Sequence, residues 1–173
     1  GDTKLCPASK QPVEWVEEQN WFFKMSDYAD QLRQWVADHP DWLKTDARRN
    51  ELLGTLKKDV GDLCISRPKT RLPWGIPIPF DEGYVTYVWF DALINYISAV
   101  GYLRDDATFG KRWPATWQLL GKDILTTHTL YWGTMLFAAG LTPAKRLYAH
   151  GWWTVEGNKM SKSIGNVVDP HLL

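Results

Sequence analysis

Two lysines near the end of the sequence have a spacing that suits chemistry on phosphate groups. Lys159 and Lys162 belong to the run Lys-Met-Ser-Lys-Ser, which Gly157 and Gly165 bound on either side. Ammonium groups on a mobile loop can neutralise the charge that develops as a phosphoryl bond breaks. By composition alone, however, the same run is more typical of a polar surface turn. Its surroundings must therefore decide between a catalytic loop and a plain one.

Two further groups of residues have the spacing of helix faces and carry aromatic side chains. They are Trp89, Ala92, Leu93 and Tyr96 on a first helix and Ile124, His128 and Trp132 on a second. Residues three, four, seven or eight positions apart share one face of a helix. Such faces are by themselves more typical of an ordinary core, and a lone histidine there is more often a core residue than a ligand. A binding pocket between the two faces is the alternative interpretation.

A glycine and a carboxylate follow a predicted strand at the place where parallel sheets bind nucleotides. Residues 117–120 are predicted to form the strand, and Gly121 and Asp123 come directly after it. Open parallel sheets bind ligands just beyond the carboxyl ends of their strands, and glycine permits a close approach. Asp123 could equally cap a helix, because aspartate is a preferred N-cap residue. The local sequence leaves both interpretations open.

The elements that must position these residues change in character near residue 63. Before it, one helix is predicted from the N-cap Ser26 to His39, and a second from about Ala47 to Val60. After it, a segment rich in proline excludes a regular helix. Residues 1–62 are therefore predicted to form a mainly helical module.

Strands and helices alternate in the rest of the chain. The predicted order is a strand from Tyr84 to Trp89, a helix capped by Asp91 and reaching Val100, a strand at 117–120, a helix at 124–139 and a strand at 146–149. This order is that of βαβ units in a parallel sheet. We therefore predict an α/β fold for residues 63–173.

Composition limits the kinds of protein that fit. The formal net charge is zero, so no strongly basic nucleic-acid surface is indicated. Residues 44–71 are an exception with eight basic and four acidic side chains, and an RNA contact is best sought there, although a solvated face explains such a run at least as well.

Cys6 and Cys64 support neither a disulfide framework nor a zinc site. No membrane span or signal peptide is apparent, and Gly1 does not follow a methionine, so a fragment or a processed product is expected.

Several blocks of residues together resemble one enzyme family. The lysine run after His150-Gly151 resembles the second signature of class I aminoacyl-tRNA synthetases. Further blocks resemble the methionyl-tRNA synthetases in that family's order, and they are Cys64-Ile-Ser-Arg67-Pro-Lys, Trp74-Gly-Ile-Pro77, residues 87–102 and Gly121-Lys-Asp123-Ile-Leu. The resemblance covers nearly the whole chain. It implies the later half of a Rossmann-type catalytic domain in residues 63–173, preceded by the end of a connective region in residues 1–62.

The resemblance also implies roles for individual residues. The seven residues of the two helix faces match the family's methionine pocket, in which Tyr96 and His128 pair. Gly121 and Asp123 match positions that contact the ATP ribose, His150 and Gly151 match an ATP-contacting turn, and the Trp153 backbone matches an adenine-facing position. Arg67 would bind a substrate anion. Lys159 and Lys162 would be the catalytic cations, with Mg²⁺ expected on the ATP phosphates and no metal bound by the protein itself.

The implied activity is methionine–tRNA ligation, with methionine, ATP and methionine tRNA as substrates and the remainder of the synthetase as a partner. A cytoplasmic parent is expected, with an organellar one left open, and no membrane is involved. The family's first signature, of the His-Ile-Gly-His type, does not occur in these 173 residues. We therefore expect the isolated chain to be inactive. Two alternatives stay open, namely a class I synthetase of another amino-acid specificity and a non-enzymatic, aromatic-rich binding module.

Overall fold

The computed structural model describes residues 4–7, 9–169 and 171. The α-helices in this part of the chain are α1 (Ala29–Asp38), α2 (Asp46–Leu56), α3 (Val88–Ser98), α4 (Asp106–Arg112) and α5 (Trp132–Ala138). Short 3₁₀ turns at Met25–Tyr28 and Lys122–Ile124 and a π-helical turn at Thr127–Tyr131 complete the helical structure of this part. The π-helical turn leads directly into α5, so the predicted helix over 124–139 is continuous in direction but irregular in its hydrogen bonding.

The strands are short, and most of them have two to four residues. They are β1 (Phe22–Phe23), β2 (Leu43–Lys44), β3 (Leu63–Cys64), β4 (Ser66–Pro68), β5 (Pro77–Ile78), β6 (Asp81–Thr86), β7 (Gln118–Gly121), β8 (Leu147–His150), β9 (Thr154–Val155) and β10 (Asn158–Lys159). Strands β1 and β3 form an antiparallel pair, as do β9 and β10.

A parallel sheet with the order β2-β8-β7 positions the candidate site. Leu147 of β8 is opposite Leu43 on one side and Gln118 on the other. The crossover from β7 through the helical segment to the parallel strand β8 confirms the predicted βαβ unit. The α/β fold class predicted from the sequence is confirmed.

The prediction that the strand at residues 84–89 begins a first βαβ unit of the parallel sheet is wrong. Strand β6 pairs antiparallel with β4 and β5 in a separate sheet, and it takes no part in the parallel one. Alternating apolar residues indicate a strand but do not select its partner, and β5 precedes β6 closely enough in sequence to pair with it through a short turn. The third parallel strand is instead β2, which comes from the segment that was predicted to be mainly helical.

The predicted boundaries of strand β6 and of helices α3 and α2 need smaller corrections. Strand β6 ends at Thr86, and Tyr87 is the N-cap residue of α3 in an extended conformation. Asp91 therefore does not cap the helix but lies in its first turn, where a negative charge is favourable near the helix N-terminus. Helix α2 ends at Leu56, four residues before the predicted end.

Two buried clusters form the core. The larger one joins α1, α2 and the parallel sheet, with Leu32, Leu56, Leu120 and Leu147 among its members. The smaller one joins α3 to α5 and contains Leu93, Ile97, Trp113, Trp132, Met135 and Leu136. Residues from both sides of the proposed boundary at 62/63 pack in the larger cluster, and the division into two domains stays a prediction.

Candidate functional site

The carboxyl ends of β7 and β8 lie side by side. Gly121 is the register partner of His150, so the last residues of the two parallel strands are neighbours. Asp123 lies two residues beyond one strand, and Gly151 and Trp153 follow the other. The imidazole Nδ1 of His150 is 2.6 Å from the carbonyl oxygen of Gly151, which orders this turn. Of the residues predicted to contact ATP, the structure therefore places Gly121 beside His150 at this edge, with Asp123, Gly151 and Trp153 just beyond the two strand ends.

Asp123 is the centre of the polar contacts at this edge. Its Oδ1 accepts a hydrogen bond from the indole N–H of Trp152, and its Oδ2 accepts one of 3.3 Å from the Lys159 ammonium. The Trp152 hydrogen bond first, and then the hydrogen bond and the positive charge of Lys159 and the charge of Lys122, hold the pKa of Asp123 below its ordinary value of 3.8. Asp123 is thus an ionised acceptor with two orienting donors.

Sequence reasoning missed Trp152 and Lys122. The Trp152 ring has the Lys122 ammonium 3.8 Å and the Lys159 ammonium 4.2 Å from its centroid. A cation over an indole face is attracted by the negative potential of the ring. A weak signal is present in the sequence for Lys122, which directly precedes Asp123, whereas Lys159 is seven residues from Trp152.

The lysine loop begins in a tight hairpin. Strands β9 and β10 pair Val155 with Asn158, and the intervening Glu156 and Gly157 both have positive φ, at 50° and 80°. Positive φ at both central residues is the mark of a type I′ turn, which suits the twist of a hairpin. Lys159 is consequently at the end of a defined strand and not on a free loop.

Asn166 closes the other side of the lysine loop, and sequence reasoning missed it. Its Oδ1 accepts a 2.9 Å hydrogen bond from the Ser161 backbone N–H, and its Nδ2 donates a 3.2 Å bond to the Lys159 carbonyl. The exposed Lys162 side chain forms no hydrogen bond or ion pair with any residue in the described part of the chain, although the Lys162 carbonyl accepts a 3.2 Å hydrogen bond from the Gly165 N–H. The two predicted catalytic lysines therefore differ, with Lys159 held on Asp123 and Lys162 facing solvent.

Three of the aromatic residues predicted to form a pocket converge. The Tyr96 hydroxyl is 2.9 Å from Nε2 of His128, and the Tyr96 ring centroid is 5.6 Å from that of His128 and 6.0 Å from that of Trp132. His128 and Trp132 are almost completely buried, while Tyr96 is half-buried. The faces of α3 and of the segment leading into α5 therefore meet at these rings, as the helical spacing predicted.

The surroundings of His128 define its tautomer and charge. Nδ1 is 2.9 Å from the Ile124 carbonyl oxygen, which can only accept, so Nδ1 carries a proton. Burial lowers the pKa of His128, and the hydrogen bond to Ile124 opposes this only in part. The neutral ring consequently accepts from the Tyr96 hydroxyl at Nε2, and burial raises the pKa of Tyr96, which keeps that donor protonated.

The other predicted pocket residues divide into three groups. Leu93 is buried in the same cluster as Trp132, and Trp89 packs against that cluster. Ile124 takes part through its carbonyl oxygen and otherwise packs against the larger core. Ala92 is exposed on α3.

The indole N–H of Trp132 is buried with no hydrogen-bond partner in the described part of the chain, which is rare for a buried donor.

An apolar cavity of about 540 Å³ lies next to this cluster, between α3 and α5. Its lining includes Phe90, Ile94 and Ile97 from α3 and Met135 and Ala139 from the α5 side, but none of the seven predicted pocket residues. The sequence signal was present, because positions 90, 94 and 97 form a second apolar stripe on α3.

Arg67 is engaged within the protein. Its guanidinium donates to the Ser66 carbonyl at 2.7 Å, contacts the Cys64 sulfur at 3.2 Å and lies 4.2 Å from the Tyr87 ring centroid. The contacts leave the side chain half-buried in the antiparallel sheet. Its predicted role in binding a substrate anion stays a prediction.

The basic segment forms ion pairs in the part of the chain that the structure describes. Within residues 44–71, Lys44, Arg48 and Arg71 form ion pairs with Asp41, Glu51 and Glu18, and the RNA contact stays a prediction. In the same described part of the chain, no three His, Cys, Asp or Glu residues are grouped as metal ligands. No helix there has the length and apolar character needed to cross a membrane.

The fold and the polar strand ends define the chain as an α/β protein of the Rossmann type with its site at the carboxyl ends of parallel strands. The family model of the "tRNA synthetases class I (M)" matches residues 3–173. The chain belongs to this family, as the sequence blocks predicted.

Relatives and solved structures agree with this assignment. The chain is 49% identical over 170 residues to the methionine–tRNA ligase of Thermotoga maritima and 52% identical over 170 residues to that of Clostridium acetobutylicum, covering 98% and 97% of this chain. The mitochondrial methionine–tRNA ligase of Mus musculus is 45% identical over 168 residues. Mycobacterium tuberculosis methionyl-tRNA synthetase bound by methionyl-adenylate superposes with a TM-score of 0.83 at 40% identity, over 97% of this chain.

The chain spans about a quarter to a third of the length of these proteins. It covers 27% of the T. maritima ligase, 26% of the C. acetobutylicum ligase and 33% of the M. tuberculosis chain.

Proposed function

We propose that this chain forms the methionine pocket and part of the ATP site of a methionine–tRNA ligase. In that reaction the methionine carboxylate attacks the α-phosphorus of ATP, pyrophosphate leaves, and methionyl-adenylate forms. A ribose hydroxyl at the end of the tRNA then attacks the acyl carbon and releases AMP. The methionyl-adenylate bound to the similar M. tuberculosis enzyme supports this proposal.

One observation carries the proposal, namely that Asp123 beyond the end of β7 and His128 and Trp132 of the aromatic cluster lie on the same helical segment. Asp123 and His128 are five residues apart, and Ile124 between them accepts the hydrogen bond from His128. Five residues of helix span about 7 Å. An amino-acid side chain among the rings would therefore hold its carboxylate within reach of a nucleotide at the strand ends.

The aromatic cluster suits a thioether. Methionine sulfur is polarizable and gains about 0.3–1.5 kcal/mol from contact with aromatic rings, which aliphatic walls do not provide. The neutral His128 and the protonated Tyr96 fix the ring positions without placing a charge beside the sulfur. Discrimination against a side chain that is one methylene shorter is expected to stay at about 1–3 kcal/mol.

Catalysis in this proposal consists of alignment and charge neutralisation. Lys159 and Lys162 supply ammonium groups to the departing pyrophosphate, and Asp123 orients the ribose through its hydroxyls. ATP is expected to enter as its Mg²⁺ complex, the ion being carried by the substrate phosphates. No side chain is required to act as a covalent nucleophile.

The remaining partners follow from the same proposal. Methionine tRNA is the acceptor, and the remainder of the synthetase completes the site. A cytoplasmic location is proposed from the bacterial relatives, and the mitochondrial mouse relative makes an organellar one the alternative.

Pyrophosphate exchange into ATP tests the proposal in the complete ligase that contains these residues. We expect exchange to depend on methionine and to be at least tenfold weaker with leucine or isoleucine at equal concentration, because neither brings sulfur to the rings. Equal exchange with the three amino acids would instead favour another class I specificity. A change in tryptophan fluorescence with RNA or a protein, but not with methionine or ATP, would favour the non-enzymatic binding module.

The Tyr96→Phe variant tests the pocket in the same assay. Loss of the hydroxyl leaves Nε2 of His128 without its donor, and one such bond is worth about 1 kcal/mol, so KM for methionine should rise about fivefold. Tyr102→Phe is the matched control, since that ring packs against Phe109 and lies outside the predicted pocket.

The isolated 173-residue chain is expected to be inactive, and methionine-dependent exchange by this chain would overturn that expectation.

A further inference from the structure

Trp152 contacts the predicted ribose ligand and the predicted phosphate ligand at the same time. Its N–H donates to Asp123, and its ring face lies 4.2 Å from the Lys159 ammonium. Asp123 lies in the turn after β7 and Lys159 in β10, and their side chains are 3.3 Å apart. Sequence alone offered no role for the side chain of Trp152.

The two contacts use different parts of the indole. The N–H lies in the plane of the ring and points to a carboxylate oxygen, whereas the cation is attracted by the ring face. An exposed ion pair such as Asp123–Lys159 contributes little by itself, because solvent screens it and both side chains remain mobile. The rigid indole supplies the orientation that this exposed pair lacks.

The two hydrogen bonds to Asp123 respond differently when Lys159 moves away. A polyphosphate carries several negative charges and competes with Asp123 for the ammonium of Lys159. If Lys159 transfers to phosphate, Asp123 loses the partner on Oδ2 but keeps the Trp152 hydrogen bond on Oδ1. The freed oxygen is then available to ribose hydroxyls while the carboxylate stays oriented.

We propose that Trp152 is a positioning residue of the nucleotide site, which orients Asp123 through its N–H and holds Lys159 near it through its ring face. This role rests on the proposed function, in which Asp123 and Lys159 bind ATP. Trp152 touches neither reacting atom in this scheme, and it acts through the two residues that do bind the nucleotide.

Three variants of the 173-residue chain separate the two contacts. Trp152→Phe keeps an aromatic face and removes the N–H, Trp152→Leu removes both, and Trp15→Phe is the control, because it removes an exposed indole N–H that donates to Glu17 outside the predicted site. Unchanged NMR signals of the Leu32 and Leu56 methyl groups, which are buried in the larger core, verify that each variant keeps the fold.

The first readouts need no nucleotide. NMR titration of the Asp123 carboxyl carbon should show a higher pKa in Trp152→Phe and Trp152→Leu than in the parent chain, and no change in Trp15→Phe. The upfield ring-current shift of the Lys159 side-chain protons should persist in Trp152→Phe and disappear in Trp152→Leu. An Asp123 titration that is the same in all four proteins, or a Lys159 shift that survives in Trp152→Leu, would overturn the positioning role.

Titration of the complete ligase with ATP and Mg²⁺ gives the last readout. We expect the affinity to fall about fivefold in Trp152→Phe, as for the loss of one hydrogen bond, and further in Trp152→Leu, with Trp15→Phe unchanged. Equal affinity in the unsubstituted ligase and both Trp152 variants would overturn the role in nucleotide binding. Failure of the unsubstituted ligase to bind ATP would count against the proposed function, whereas the Asp123 titration and the Lys159 shift decide the positioning role without nucleotide.

Discussion

At the scale of single residues, the state of the aromatic cluster depends on the burial of one imidazole. His128 is buried, donates to Ile124 from Nδ1 and accepts from Tyr96 at Nε2. A neutral histidine has one donor and one acceptor nitrogen, so both are satisfied. Protonation would place a positive charge in a poorly solvated site, and burial therefore lowers the pKa of His128.

The lowered pKa of His128 makes stability depend on pH. The unfolded chain binds a proton at this ring below about pH 6.5, whereas the folded chain binds it only below its own, lower pKa. Between these two pKa values the unfolded state holds one more proton than the folded state. The free energy of unfolding should therefore fall as the pH is lowered from 7.5 to 5.5, by at most about 1.4 kcal/mol per pH unit for this one proton. Urea unfolding at several pH values measures this change.

The matched variants for this pH dependence are His128→Gln and His39→Gln. The first removes the titrating ring and should flatten the dependence between pH 7.5 and 5.5. The second removes an exposed histidine that stacks on Trp35, and the dependence should remain. A slope that His128→Gln leaves intact would show that another group is responsible.

At the scale of the elements, the lysine loop is a defined structure and not a free coil. A type I′ hairpin leads into it, and Asn166 bridges its two sides through the Ser161 N–H and the Lys159 carbonyl. Sequence reasoning expected mobility from the glycines that bound the run. The bridge indicates instead a loop with a preferred resting position, from which Lys162 extends into solvent.

Replacement of Asn166 by alanine should loosen this loop. The Ser161 N–H loses its only acceptor in the described part of the chain, and a hydrogen bond worth about 1 kcal/mol corresponds to roughly fivefold faster amide exchange at that residue. Hydrogen–deuterium exchange followed by NMR measures it. Ser163→Ala is the control, because it removes only a contact between the hydroxyls of Ser161 and Ser163, and equal exchange in both variants would argue against the bridge.

At the scale of the whole molecule, β8 links the two halves of the sequence. It pairs with β2 from the first quarter and with β7 from the last third, and Leu147 is opposite a residue of each. The Leu147 N–H also donates a 2.6 Å hydrogen bond to the Trp42 carbonyl. The parallel sheet that ends in Asp123 and His150 consequently depends on the packing of residues distant in sequence.

Truncation of Leu147 to alanine should destabilise the whole chain. The side chain is only 1% exposed in the larger core, and such Leu→Ala changes cost about 2–5 kcal/mol. Leu119→Ala on the adjacent strand is the matched control, since Leu119 is 71% exposed and should change stability by less than about 0.5 kcal/mol. Urea unfolding monitored by tryptophan fluorescence compares the free energies of unfolding of the two variants. Similar losses in both would show that the stability does not depend on the buried packing of Leu147.

The sequence by itself determined the features that depend on local spacing. Helical periodicity placed Tyr96, His128 and Trp132 on facing surfaces, and the polar residues beyond residues 118–121 and 147–150 were correctly expected at strand ends. The family followed from blocks of residues in order, and the family model confirms it. The particular roles of the predicted site residues stay predictions.

Tertiary structure alone decided which strands pair and which polar groups meet. Strand β6 alternates like a sheet strand, yet its antiparallel partners β4 and β5 and the parallel role of β2 depend on contacts that no local pattern encodes. Trp152, Lys122 and Asn166 were missed for the same reason, since their partners Asp123, Lys159 and Ser161 are defined by the folding of two strand ends and a loop against each other. Periodicity reports the face a residue occupies, whereas contacts between elements depend on the packing of the entire chain.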